Sequence, residues 1–199
     1  MTDLLRLPIL LNMVRDTISD PRRGAEMVLA LNLPRSALWL AFALTIVFSM
    51  ILAVLVTFVL GTPEEGPLTG RTPVALGLLQ GAFLFLAVHA VTHIGRIFGG
   101  TGSFEGALAL ITWLQFIFIV LQVLQLMVAL IAPPLAAVIS LLAIVLFFWL
   151  LSHFVTVLHG FTSVGQVFLM TLLSFMVILF TLSLVLSLLG LGLPTGTPT

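Results

Sequence analysis

Between residues 36 and 193 the chain is a succession of five apolar runs, and that pattern constrains its fold more than any other feature. The runs fall at 36–60, 74–98, 104–132, 135–158 and 167–193. At about 1.5 Å of rise per residue, each is long enough to cross a hydrocarbon core of about 30 Å. Backbone polar groups in lipid must be satisfied within their own segment, so the runs are predicted as helices. Only 7% of the residues are charged and the mean hydropathy is +1.33, whereas soluble domains carry about 25% charge. Charges so sparse cannot cover a water-facing surface, so the solvent for most of this chain is lipid. The predicted class is an all-α, polytopic integral membrane protein. It comprises an N-terminal cytosolic or interfacial segment over 1–35, a five-helix transmembrane bundle over 36–193 and a short extracytoplasmic tail over 194–199.

The joints refine this outline. Pro133-Pro134 separates the third run from the fourth; adjacent prolines remove donors and clash with the preceding turn, which predicts a tight helical hairpin. Asp20-Pro21 reads as a helix start, with Asp20 as cap and proline in the first turn, for a short helix to about Asn32. It places Met27, Val28 and Leu31 on one side and Arg22, Arg23 and Glu26 largely on another, which suits a segment lying in the membrane interface. A partly ordered cytosolic tail is the alternative. Pro8 breaks the first apolar stretch and no small-residue cleavage site follows, so no secretory signal is expected. Five arginines precede the first run and Arg96 flanks the turn after the second, whereas Arg71 shares its loop with Glu64 and Glu65. Arginine bias therefore predicts a cytoplasmic N-terminus, a cytoplasmic turn at 99–103 and an outer C-terminus.

That turn gathers most of the chemistry. His89, His93 and Arg96 are spaced i, i+4, i+7 on one helix face, and the predicted topology brings His153 and His159 to the same end of the bilayer. Histidines so placed are expected to hydrogen-bond neighbouring helices, with His93 and His153 bridging the second and fourth spans. His89, His93 and His153 also make a weak metal alternative, but no carboxylate follows the first histidine as a zinc-hydrolase motif requires, and no metal is predicted. Gly99-Gly100-Thr101-Gly102-Ser103 leads into the third run, with Ser103 placed to cap it. Exposed N–H groups at a helix start beside Arg96 suit an anion, and on this face the anion would be a phospholipid headgroup. Arg96, Gly99, Gly100, Gly102 and Ser103 are thus the lipid- or anion-binding candidates. The plainer reading is a glycine turn forced by a tight crossing, with Glu105 pairing with Arg96.

Gln115, Gln122 and Gln125 lie along the third run, and Thr171, Ser174 and Thr181 along the fifth. Amides at membrane depth need partners, so interhelical hydrogen bonding is the default, and Gly77-x-x-x-Gly81 adds a close-contact face. A small transporter or channel lined by the two stripes is the rival reading, although no charged residue stands mid-span as a coupled transporter usually requires. Catalysis is not expected: there is no Gly-x-Ser-x-Gly, no pair of intramembrane carboxylates and no tyrosine. The absence of cysteine excludes disulfides and thiol chemistry. No catalytic residue, cofactor or nucleic-acid partner is predicted.

The run His93-x-x-Arg96-x-x-Gly99-Gly100-Thr101-Gly102-Ser103-Phe104 resembles the bacterial branch of the Yip (Ypt-interacting protein) domain family. Pro21-Arg22-Arg23, Leu33-Pro34-x-x-Ala37-Leu38-Trp39 and His159-Gly160-Phe161 are similar to that branch too. The resemblance implies a five-helix integral membrane domain with a cytosolic N-terminus, here in a bacterial inner membrane. Eukaryotic relatives associate with Rab-type GTPases and shape membranes, often as oligomers. This N-terminal segment lacks their acidic, tyrosine-containing motif, so a GTPase partner is not carried over. The expected protein is non-enzymatic, binding membrane lipids or partner membrane proteins, with homo-oligomer formation implied by the relatives.

Overall fold

The computed structural model describes residues 7–61 and 73–188, and every regular element among them is an α-helix. The chain starts with two short helices, α1 (Leu7–Ser19) and α2 (Pro21–Ala30), joined through Asp20. As the sequence predicts, Asp20 caps α2: its Oδ1 accepts from the Arg23 backbone N–H at 3.1 Å. α1 is not anticipated, because Pro8 reads as a breaker. It stands instead in the first helical turn, where its missing N–H has no intrahelical partner to lose.

Long helices follow: α3 (Arg35–Leu60), α4 (Pro73–Ile97), α5 (Phe104–Ile131), α6 (Pro133–His159) and α7 (Val164–Leu188). The first four of these are long and apolar enough to cross a membrane. Where five spans are predicted, the structure supports an all-α membrane protein with four such helices among the described residues. α7 is continuous over its 25 residues, and its stretch Val164–Ile178 is apolar as well. The predicted loop holding Glu64, Glu65 and Arg71, and the tail at 194–199, lie outside the described residues.

The double proline does form a tight hairpin. α5 ends at Ile131 and α6 begins at Pro133, so both prolines sit inside the first turn of α6 rather than between the helices. α5 and α6 pack most extensively, and α3 and α4 lie against α5 while α7 lies against α6. Gly77 and Gly81 face Met50 and Ile46 of α3, which makes this row of α4 the predicted close-contact face.

Burial is lopsided. Val14, Ala25, Val28, Leu38, Phe42, Val88, Ala107, Leu108, Leu150, Phe154 and Val167 join one core at the end of the bundle that holds the glycine turn. Toward the other end large apolar side chains point outward, with Phe58 and Ile131 each 87% exposed. Contiguous apolar surface on this scale is untenable in water and ordinary in lipid. α2 is part of the core: Ala25 and Val28 pack into it, and the helix lies on α5 and α6. The sequence alternatives for this segment, a free interfacial helix or a cytosolic tail, both miss that docking, because the face presented by α5 and α6 is not visible in local periodicity.

Candidate functional site

α4 and α6 end the same way at the same end of the bundle. Gly99 takes a left-handed conformation (φ 87°), its N–H donates to Arg96 O at 3.0 Å, and the Gly100 N–H donates to Gly95 O at 2.9 Å. Gly160 (φ 70°) repeats the pattern, with its N–H donating to Val157 O at 3.4 Å and the Phe161 N–H to Thr156 O at 3.0 Å. Both are Schellman ends, in which paired 5→2 and 6→1 bonds satisfy carbonyls that the helix leaves unpaired.

His159, the last residue of α6, locks the two ends together. Its side chain is buried, and its ring is enclosed by backbone at Gly95, Gly100 and Gly102. A Cβ at 102 would fall 2.6 Å from His159 Nε2, and Cβ atoms at 95 and 100 would collide with the ring outright. The Thr101 N–H donates to His159 O at 3.4 Å, and Phe161 stacks on the ring with centroids 5.5 Å apart. Nδ1–H donates to Val155 O at 3.2 Å, and Nε2 is buried without a hydrogen-bond partner among the described residues. The turn predicted as glycine-rich is therefore a cradle for one histidine, and Gly95, overlooked in the sequence, is a part of it.

The other histidines are arranged differently from the prediction. His89 donates from Nδ1 to Phe85 O at 3.0 Å and sits among the rings of Phe85, Phe104 and His93. His153 donates to Trp149 O at 2.8 Å and stacks on Trp149. His93 is exposed, and no hydrogen bond joins it to His153 among the described residues. The predicted bridge is thus replaced by His159 packed on Gly95, because the carbonyl one turn back is a nearer acceptor than a facing helix. Among the described residues no three His, Asp or Glu side chains gather as a metal site, so the weak His89, His93 and His153 alternative is not assembled.

Ser103 caps α5 as predicted, its Oγ accepting from the Gly106 N–H at 3.0 Å. Arg96 does not pair with Glu105. Its Nε–H donates to Gly102 O at 3.1 Å, and the one ion pair among the described residues is Arg22–Glu26, at 3.6 Å on the outer face of α2. Gly99, Gly100 and Thr101 spend their N–H groups inside the fold, whereas Arg96 keeps guanidinium donors and the N–H groups of Gly102 and Ser103 make no hydrogen bond among the described residues.

The glutamines divide between neighbours. Gln115 donates to Ser49 Oγ on α3 at 2.8 Å, Gln125 donates to Ser140 Oγ on α6, and Gln122 forms no hydrogen bond among the described residues. On α7, Thr171 and Ser174 turn inward, whereas Thr181 is exposed. α5 and α6 floor an apolar cavity of about 350 Å³ whose sides are α4 and α7, helices that scarcely touch each other. It runs from Gly95, Phe98 and Phe161 beside the cradle to Gln80 and Ile178, and Gln115, Thr171 and Ser174 are among its few polar linings. Phe83 and Leu86 on its rim are about half exposed, so the cavity opens toward lipid. Nothing in its spacing signalled it, because it arises from the gap between two helices distant in sequence.

Neither the curated proteins nor the solved structures compared contain a match to this chain. A family model, the Yip1 domain, matches residues 15–185, and the chain belongs to the Yip1 domain family.

Proposed function

We propose that this protein is a non-enzymatic member of its family that binds membrane lipid, taking an acyl chain into the cavity between α4 and α7. The cavity carries the proposal: it is apolar, about 350 Å³ in volume and open on its lipid side. It extends over about 22 Å of α4, from Gly95 to Gln80. The Gln115 amide is already engaged by Ser49, which leaves the walls better suited to hydrocarbon than to a polar solute. At the cradle end, exposed Arg96 lies between Gly95 and Phe98 and offers its remaining N–H donors to a headgroup phosphate. Arginine bias supports placing this end in the cytoplasm, against the leaflet rich in anionic lipid, while the five apolar runs support five spans and the resemblance to the bacterial branch supports a bacterial inner-membrane setting.

Native mass spectrometry of protein released gently from its membrane tests this reading. A phospholipid should be retained by the wild type and lost when Ala87→Trp or Ala90→Trp fills the cavity. Arg96→Ala should lower retention of anionic lipid without changing that of neutral lipid. Equal retention in the filled variants, with folding intact, would end the proposal. The transporter reading is less well supported, since Gln122, Gln125 and Thr181 do not line the cavity.

A further inference from the structure

α1 presents three sectors around its axis. Met13, Val14 and Thr17 are buried against the bundle. Asn12, Arg15, Asp16 and Ser19 form an exposed polar sector. Between these two lies a row of exposed large apolar side chains, Leu7 (62% exposed), Leu11 and Ile18, spaced i, i+4, i+11 on one face. A helix needing only a protein side and a water side would have no use for this third sector.

The position of α1 identifies what covers that sector. Trp113 of α5 donates from Nε1 to Thr17 Oγ1 at 3.2 Å, Val14 enters the common core, and Gly24 of α2 backs onto Thr17. A single residue, Asp20, then leads into α2, which is packed on α5 and α6. α1 is thus fastened to the flank of a membrane-crossing helix. Trp113 stands nine residues into α5, about 14 Å from its start, and a helical tryptophan leans back toward the N-terminus. α5 has 28 residues, about 42 Å, which exceeds a hydrocarbon core of about 30 Å by about 12 Å; with that surplus at the Phe104 end, Trp113 stands where headgroups meet hydrocarbon, the level at which tryptophan concentrates. A helix tied there cannot leave the bilayer surface, so the medium next to its free apolar row is lipid.

We propose that α1 is an in-plane membrane-surface helix: Leu7, Leu11 and Ile18 enter the leaflet on the glycine-turn side, while Asn12, Arg15 and Asp16 face water. The inference is independent of the cavity, which α1 does not line. It assigns α1 the interfacial role that periodicity alone gave to α2, and a lipid surface rather than a protein as its partner.

The chain has no cysteine, so single labels are straightforward. Leu7→Cys, Leu11→Cys, Ile18→Cys, Asn12→Cys and Asp16→Cys, all at exposed positions, would each carry a nitrobenzoxadiazole probe in phosphatidylethanolamine/phosphatidylglycerol vesicles. Probes at 7, 11 and 18 should be quenched at least twofold more by spin-labelled phospholipid than those at 12 and 16, with the order reversed for aqueous iodide. Iodide access at 11 and 18 equal to that at 12 and 16 would overturn the proposal. So would shielding from both quenchers, which would mean that a second protein surface covers the row.

Discussion

His159 and Gly95 meet where a side chain at 95 would have to be: any Cβ there would collide with the Nε2 end of the imidazole. α4 and α6 approach at this point because one contributes a ring and the other contributes only backbone. The same ring is closed in by Gly100 and Gly102, so a single side chain sets the geometry of the turn into α5.

Gly95→Ala should therefore destabilise the protein by about 1–3 kcal/mol through overpacking, and His159→Ala by about 2 kcal/mol or more through the cavity it leaves. Because His159→Ala makes room for the methyl that Gly95→Ala adds, and that methyl partly fills the space the ring leaves, the double variant should cost less than the two costs added together. Thermal unfolding of purified protein measures all three, and strict additivity would show that the two residues do not compete for this space.

Gly99 and Gly100 are adjacent glycines with different reasons for being glycine. Gly99 has open space around it and a φ of 87°, so Gly99→Ala should cost only the left-handed backbone penalty, about 1–2 kcal/mol. Gly100→Ala drives a methyl into His159 and should cost more. If the order is inverted in unfolding experiments, the cradle is not what holds the turn.

Trp113→Phe keeps an aromatic ring but deletes the donor to Thr17. The expected loss is about 0.5–1.5 kcal/mol, concentrated on α1. Limited trypsin digestion at Arg15 should accelerate while the long helices stay intact; an unchanged rate would show that the bond does not fasten α1.

Gln125→Leu removes the hydrogen bond to Ser140 across the α5–α6 hairpin and should destabilise by about 1 kcal/mol. Gln122→Leu, which removes no hydrogen bond among the described residues, should change stability by less than about 0.5 kcal/mol. A larger effect at 122 than at 125 would point to a partner for Gln122 outside this chain.

Local sequence rules set the class of this protein and most of its punctuation. Apolar length forces helices in lipid, Asp20 and Ser103 carry the oxygen that a helix start lacks, and Pro133-Pro134 cannot continue a helix already under way. These are local constraints, settled within a few residues of where they act. Gly99 was legible for the same reason, since a left-handed turn favours glycine wherever it occurs. Tertiary structure decided the rest. Whether His93, His153 or His159 meets the neighbouring helix depends on how α4 and α6 are rotated about their axes, and a period of 3.6 residues in helices apolar on nearly every side does not fix that rotation. The same freedom kept hidden the docking of α2, the row on α1 that faces lipid and the gap between α4 and α7. Each is a relation between helix faces far apart in sequence, set by which side chains fit against which backbone.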